Sequence, residues 1–103
     1  MPTYNPPTKN EDFVLYVALA STTDGASFKI DPTIASGDWK VSKDGGALTD
    51  LATLPVVTPA ASMLLKVELS AAEMNADVVS IVGVDQTIPK EWADFVLSIP
   101  TTA

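Results

Sequence analysis

The chain has 103 residues, a formal net charge of -7 and neither His nor Cys. Disulfide staples are therefore excluded, the usual proton shuttle and soft-metal ligands are missing, and the average field repels phosphate backbones and anionic lipid heads. With 47% apolar and 18% charged residues and a mean hydropathy of +0.23, one small core hides only part of the apolar complement, which points to a subunit that covers the surplus against a partner.

Residues 1–12 read Met-Pro-Thr-Tyr-Asn-Pro-Pro-Thr-Lys-Asn-Glu-Asp. Pro2, Pro6 and Pro7 fix φ and push the preceding residues toward extended geometry, so this segment is expected to be an arm ahead of a single domain over residues 13–103. It lacks the basic-then-apolar order of a secretion signal, and prolines interrupt every apolar stretch before it reaches spanning length. The expectation is a soluble protein made without a leader in a reducing cytosol, with no nucleic-acid and no membrane partner.

Phe13, Leu15, Val17 and Leu19 recur at period two, as a strand with one buried face requires, while the other face carries Val14, Tyr16 and Ala18. A polar turn over residues 21–26 leads to a short strand, Ser27 to Ile30, closed by Asp31-Pro32. Trp39 and Val41 alternate with Lys40 and Ser42, and Asp44-Gly45-Gly46 supplies the positive-φ residues of a tight hairpin. The segment from Leu51 to Ala61 holds Pro55 and Pro59, which cannot donate in a central ladder, so it is expected to cross between sheets or run along an edge.

Met63, Leu65, Val67 and Leu69 form the next inward row, with Lys66 and Glu68 outward. Ser70-Ala71-Ala72-Glu73 matches a capping box and predicts one helical turn from Ala71 to Ala76. Val78 to Val84 is a β-branched strand with Val79 and Ile81 on one side and Val78, Val82 and Val84 on the other. After a turn holding Pro89, Ala93, Phe95, Leu97 and Ile99 make the last inward row, and Pro100 ends it. Seven or so short strands with one helical turn fit an all-β, two-sheet Greek-key sandwich of immunoglobulin type, with Trp39 as its core plug.

Side chains for catalysis are scarce. A serine nucleophile needs a base, and without His only Lys or a carboxylate is left; Lys40 and Lys66 alternate outward on strands and read as solvated. Paired carboxylates need a deep cleft, which a sandwich of this size has little wall to build. Asp24, Asp31, Asp44, Asp50, Asp77 and Asp85 offer oxygen ligands for calcium, but not at EF-hand spacing, and turn chemistry explains Asp24-Gly25 and Asp44-Gly45 without an ion. Asp44-Gly45-Gly46-Ala47 opens a strand and so is no phosphate cradle. No catalytic residue, cofactor or metal is assigned, and the chain is read as a non-enzyme.

What remains is surface. Val14 and Tyr16 on the first strand, and Val78, Val82 and Val84 on the sixth, make faces apolar that an isolated sandwich leaves to solvent. Either a partner covers them, or a wide core or the folded-back arm does. The arm itself, through Tyr4, Pro6 and Pro7, is a second candidate for partner binding, because an extended Pro-rich segment loses little entropy on docking.

Four stretches carry a family likeness: Asp44-Gly45-Gly46-Ala47; Leu51-Ala52-Thr53-Leu54-Pro55-Val56-Val57-Thr58-Pro59-Ala60-Ala61; Lys66-Val67-Glu68-Leu69-Ser70-Ala71-Ala72-Glu73-Met74-Asn75-Ala76-Asp77; and Glu91-Trp92. In that order they resemble a family of small immunoglobulin-like structural proteins of tailed bacteriophages, over about residues 13–99. The resemblance implies a virion component, most similar to a head decoration or cement protein on the capsid exterior. Its partner would be the major capsid protein, and it would stabilise the shell by bridging capsomers, often as a trimer. The alternative is an immunoglobulin-like tail or fibre module for a host-surface glycan, which would expose aromatic rings on loops, with Trp92 and Tyr4 the candidates.

Overall fold

The computed structural model describes residues 7–23 and 27–102. Among them are seven strands and no helix: β1 (Phe13–Val17), β2 (Trp39–Lys43), β3 (Thr49–Asp50), β4 (Val56–Val57), β5 (Leu65–Leu69), β6 (Val78–Gly83) and β7 (Phe95–Pro100). They form two antiparallel sheets, one ordered β1-β5-β4 and the other β3-β2-β6-β7. The chain alternates between them, one strand in the first sheet, two in the second, two in the first and two in the second. Alternation along each strand decides the layering. Leu65, Val67 and Leu69 from one sheet meet Trp39, Val41, Val79, Ile81 and Ile99 from the other in a single apolar core.

Trp39 anchors that core. Its ring lies 5.7 Å from those of Trp92 and Phe95, and it packs on Gly83, its cross-strand partner on β6. The hairpin after β2 turns as its residues require: Asp44 (φ 53°) and Gly45 (φ 77°) both take positive φ, and the Gly46 N–H closes on the Lys43 carbonyl at 2.9 Å. The Asp44 Oδ1 also accepts the N–H groups of Asp77 and Val78, at 3.0 and 2.9 Å, which ties the hairpin tip to the start of β6. β4 is the edge segment expected between Pro55 and Pro59, and it is only two residues long.

Four local expectations are corrected. The segment from Ser27 to Ile30 makes a single bridge, Phe28 to Ala20, because Asp31 at φ 51° turns the chain away before a ladder can extend. Met63 is exposed, since residues 59–64 form a turn closed by the Thr58 N–H on the Leu64 carbonyl at 3.0 Å and β5 starts only at Leu65. Ala93 is exposed for a similar reason: its N–H goes to the Ala20 carbonyl outside β7.

The fourth concerns residues 71–76. Both arms of the capping box form, with the Ser70 N–H on Glu73 Oε1 at 2.9 Å and the Glu73 N–H on Ser70 Oγ at 3.2 Å. One bond of helical span follows, Met74 N–H to the Ser70 carbonyl, before the Ala76 N–H folds back on Met74. The segment is therefore a hydrogen-bonded turn and not a helix. Burial of Met74 and Ala76 in the core pulls the chain inward before a second turn can wind.

Residues 7–12 lie on the body of the domain. Thr8 bridges Thr102 in parallel, the Lys9 N–H and Thr102 N–H bond across that bridge at 2.7 and 2.9 Å, and the Asn10 N–H reaches the Met74 carbonyl. Lys9 Nζ pairs with Asp77 at 2.5 Å, and that hydrogen bond together with the carboxylate's charge raises the lysine pKa. The Ala71 N–H donates to Asp12 Oδ1 at 2.8 Å.

Candidate partner-binding surfaces

The two apolar groups singled out in the sequence do not come together. Val14 and Tyr16 stand on the outer face of the β1-β5-β4 sheet, and Val78 and Val82 on the outer face of the β3-β2-β6-β7 sheet, with the core between them. Val84 lies just past β6, half-buried, with its N–H on the Asp38 carbonyl. Of the arm residues, Pro7 is buried in the domain and its carbonyl accepts the Thr102 N–H. Tyr4 and Pro6 lie outside the described residues.

Register completes the first surface. Tyr16 pairs with Lys66, which pairs with Val56, and Val14 pairs with Glu68. Val14, Tyr16 and Val56 are 47%, 52% and 57% exposed, so three apolar side chains on neighbouring strands surround one ion pair, Lys66 to Glu68 at 3.1 Å. The hydrogen bond and charge of Glu68 raise the Lys66 pKa, and Tyr16 adds to the same effect. A shallow depression of about 220 Å³ borders this face, lined by Asp12, Val14, Thr53, Glu68, Leu69 and Ser70. Both of its carboxylates are engaged, Asp12 by Ala71 and Glu68 by Lys66.

On the opposite face Val82 pairs with Lys40 on one side and Val96 on the other. Val96, 66% exposed, is the most open apolar residue on either sheet face. Around it are Lys40, bonded to Asp50 at 2.7 Å, and the hydroxyl pair Ser80 and Ser98 at 2.9 Å. Neither Val56 nor Val96 was among the residues expected to bind. Val96 was readable from the inward row Phe95, Leu97 and Ile99, whose alternation sends it outward; Val56 was hidden by the prolines around it.

The loops at one end of the sandwich are braced by carboxylates. Asp85 is buried. Burial pushes its pKa up, but the Glu91 N–H at 2.7 Å and the Thr87 N–H at 2.9 Å donate to the carboxylate, and with smaller contributions from the Thr87 hydroxyl and the Trp92 N–H the net effect is a value below the usual range. Asp38, also buried, accepts the N–H groups of Ala35 and Gln86 at 3.1 and 3.2 Å. Glu91 takes both the N–H and the hydroxyl of Thr33. These acids are spent on holding backbone, and no group of three or more metal-ligating side chains occurs among the described residues.

Trp92 is a correction. It was the ring expected on a loop surface for a glycan, yet it is 0% exposed, packed on Trp39 with its Nε1–H on the Thr33 carbonyl at 3.3 Å. Its apolar area outweighed its loop position, because the residue 84–94 loop folds over the end of the core.

No protein-family model, curated protein or solved structure matches the chain.

Proposed function

We propose that this chain is an immunoglobulin-like structural subunit of a tailed-phage virion, a decoration subunit that binds the major capsid protein on the outside of the head and stabilises the shell by bridging capsomers. The observation that carries the proposal is the apolar exposure on both outer sheet faces: Val14, Tyr16 and Val56 on one, Val78 and Val96 on the other, with half-buried Val82 between them. A subunit that bridges must touch two neighbours, and two opposed adhesive faces are the simplest way to do so. Standard interfaces bury about 800 Å² per partner, and many identical copies turn a modest affinity into a firm coat.

Strand order supports the immunoglobulin-like part. Orders β1-β5-β4 and β3-β2-β6-β7 correspond to B-E-D and C′-C-F-G of that architecture, and Trp39 sits buried on the strand in the C position. In the host, the subunit would be made in the bacterial cytoplasm and end on the virion exterior. Of the two rings that the glycan-binding alternative offered, Trp92 is buried and Tyr4 lies outside the described residues.

The test is to add the purified full-length chain to purified tailed-phage heads and locate it by electron cryomicroscopy. Density repeated over the capsid lattice supports the proposal. Density confined to the tail, or no binding to heads, overturns it.

A further inference from the structure

Two antiparallel sheets have four edges, and three of them are blunted. β3 and β4 are two residues each, with Pro55 and Pro59 flanking β4. β7 ends in Pro100, and the chain beyond it is bridged by Thr8. Short strands, prolines and covering segments are the devices by which sheets avoid pairing with other chains. Among the described residues β1 has none of them. Its five residues, Phe-Val-Leu-Tyr-Val, contain no charge, no proline and no glycine, and among the described residues only β5 pairs with it.

Its inward row is also incompletely covered. Leu65, Val67 and Leu69 on β5 are 0–2% exposed, whereas Phe13, Leu15 and Val17 are each only half-buried. A strand laid along that edge would bring the missing inner side chains and pair the backbone groups that have no partner among the described residues.

We propose that the occupant is β1 of a second copy, paired antiparallel about Leu15 to give a continuous six-stranded sheet across a two-fold axis. The sequence is self-complementary in that register. Phe13 faces the second copy's Val17, and Leu15 faces itself, which completes both inner rows. On the outer face Val14 meets Tyr16 of the other copy, so each row reads Val56, Lys66, Tyr16 and then Val14 and Glu68 of the second molecule. Both rows thus run from a cation to an anion, and the charges of the two copies alternate instead of clashing.

The acids at the strand entrance agree with this direction. Glu11 and Asp12 fall opposite Leu19 and Ala18 of the second copy, whereas a parallel pairing would set each acid beside its own duplicate. Isologous pairing of this kind makes a dimer, not the trimer that the resemblance implies. The inference does not depend on the virion reading, because it concerns the free protein.

The absence of cysteine makes the test clean. In the full-length chain, the double variant Val14→Cys/Tyr16→Cys places the two thiols opposite each other across the axis, at a Cα separation of about 4.5–5.5 Å that a disulfide spans. Mild oxidation should give a covalent dimer within minutes, while the single variant Val96→Cys on the other face, which has no second thiol in its own chain, should not cross-link between copies. Sedimentation of the unmodified chain should show dimer at about 100 µM, and Val14→Lys, a lysine on the edge facing its own Glu68, should weaken association by tenfold or more while the fold persists. A chain that stays monomeric at about 1 mM, or cross-links through residue 96 and not through 14 and 16, would overturn the pairing.

Discussion

Gly83→Ala puts the packing of the core under direct strain. A methyl group at this position would sit 3.0 Å from Cη2 and 3.1 Å from Cζ2 and Cζ3 of Trp39, closer than side chains pack. The indole is fully buried, with the rings of Trp92 and Phe95 each 5.7 Å away, and must shift by a few tenths of an ångström to admit the methyl. Overpacking of this kind costs about 1–3 kcal/mol, and the stiffer unfolded chain of alanine returns about 0.5–1 kcal/mol, so the net loss lies between about 0 and 2.5 kcal/mol, centred on about 1 kcal/mol. For a domain of this size a loss of about 1 kcal/mol lowers Tm by about 4–8 °C.

Urea titration followed by circular dichroism reads the loss as a lower midpoint at unchanged slope. Trp39→Phe in the same background removes the ring atoms that clash, and it also removes an indole N–H that is buried with no hydrogen-bond partner. The double variant should therefore lose less than the two single losses combined, by about 1 kcal/mol. A Gly83→Ala protein more stable than the parent would refute the packing described for Trp39.

Three further outcomes follow from the structure. Asp85→Asn keeps the shape but surrenders the charge that the Thr87 and Glu91 N–H groups hold, and should cost about 1–3 kcal/mol at pH 7. The carboxylate's folded pKa lies below its unfolded value, near 3.8; its stabilisation is thus present above that pH and is lost as the pH falls toward the folded value. The stability gap between parent and variant should narrow on acidification below about pH 4, and a gap independent of pH would contradict the assignment. Glu73→Ala frees the Ser70 and Ala52 N–H groups at once, and chemical denaturation should register a loss of about 1–2 kcal/mol. Val82→Glu sets a carboxylate beside Lys40, so the melting curve should change little while binding to heads falls; unaltered binding would remove that face from the account.

Much of the β-strand framework was legible because period-two alternation is strong wherever one face is buried. The rows through Val41, Val67, Ile81 and Leu97 needed only the spacing of their apolar residues. Asp44-Gly45-Gly46 was readable for a different reason, as few other sequences accept two positive φ values in succession. The failures share a physical cause. Met63 and Ala93 continue the apolar alternation past the point where the ladder stops, and alternation alone cannot show where hydrogen bonding ends.

Sheet membership was the other hidden quantity. Val14 and Val82 each look like surplus apolar surface, but only the strand order reveals that they face opposite ways. Trp92 misled because loop residues are usually exposed; a large indole that can close the end of a core and still reach a carbonyl with its N–H is the exception. The double duty of Glu73, which caps its own turn and also holds Ala52, depends on a partner 21 residues away that no local motif encodes.

The central claim is that the outer sheet faces are contact surfaces. Hydroxyl-radical footprinting of the full-length chain, free and bound to tailed-phage heads, measures this residue by residue. The account expects binding to protect Val14, Tyr16 and Val56 on one face and Val82 and Val96 on the other. Protection confined to the loop ends, or labelling on both faces identical to that of the free protein, would contradict it.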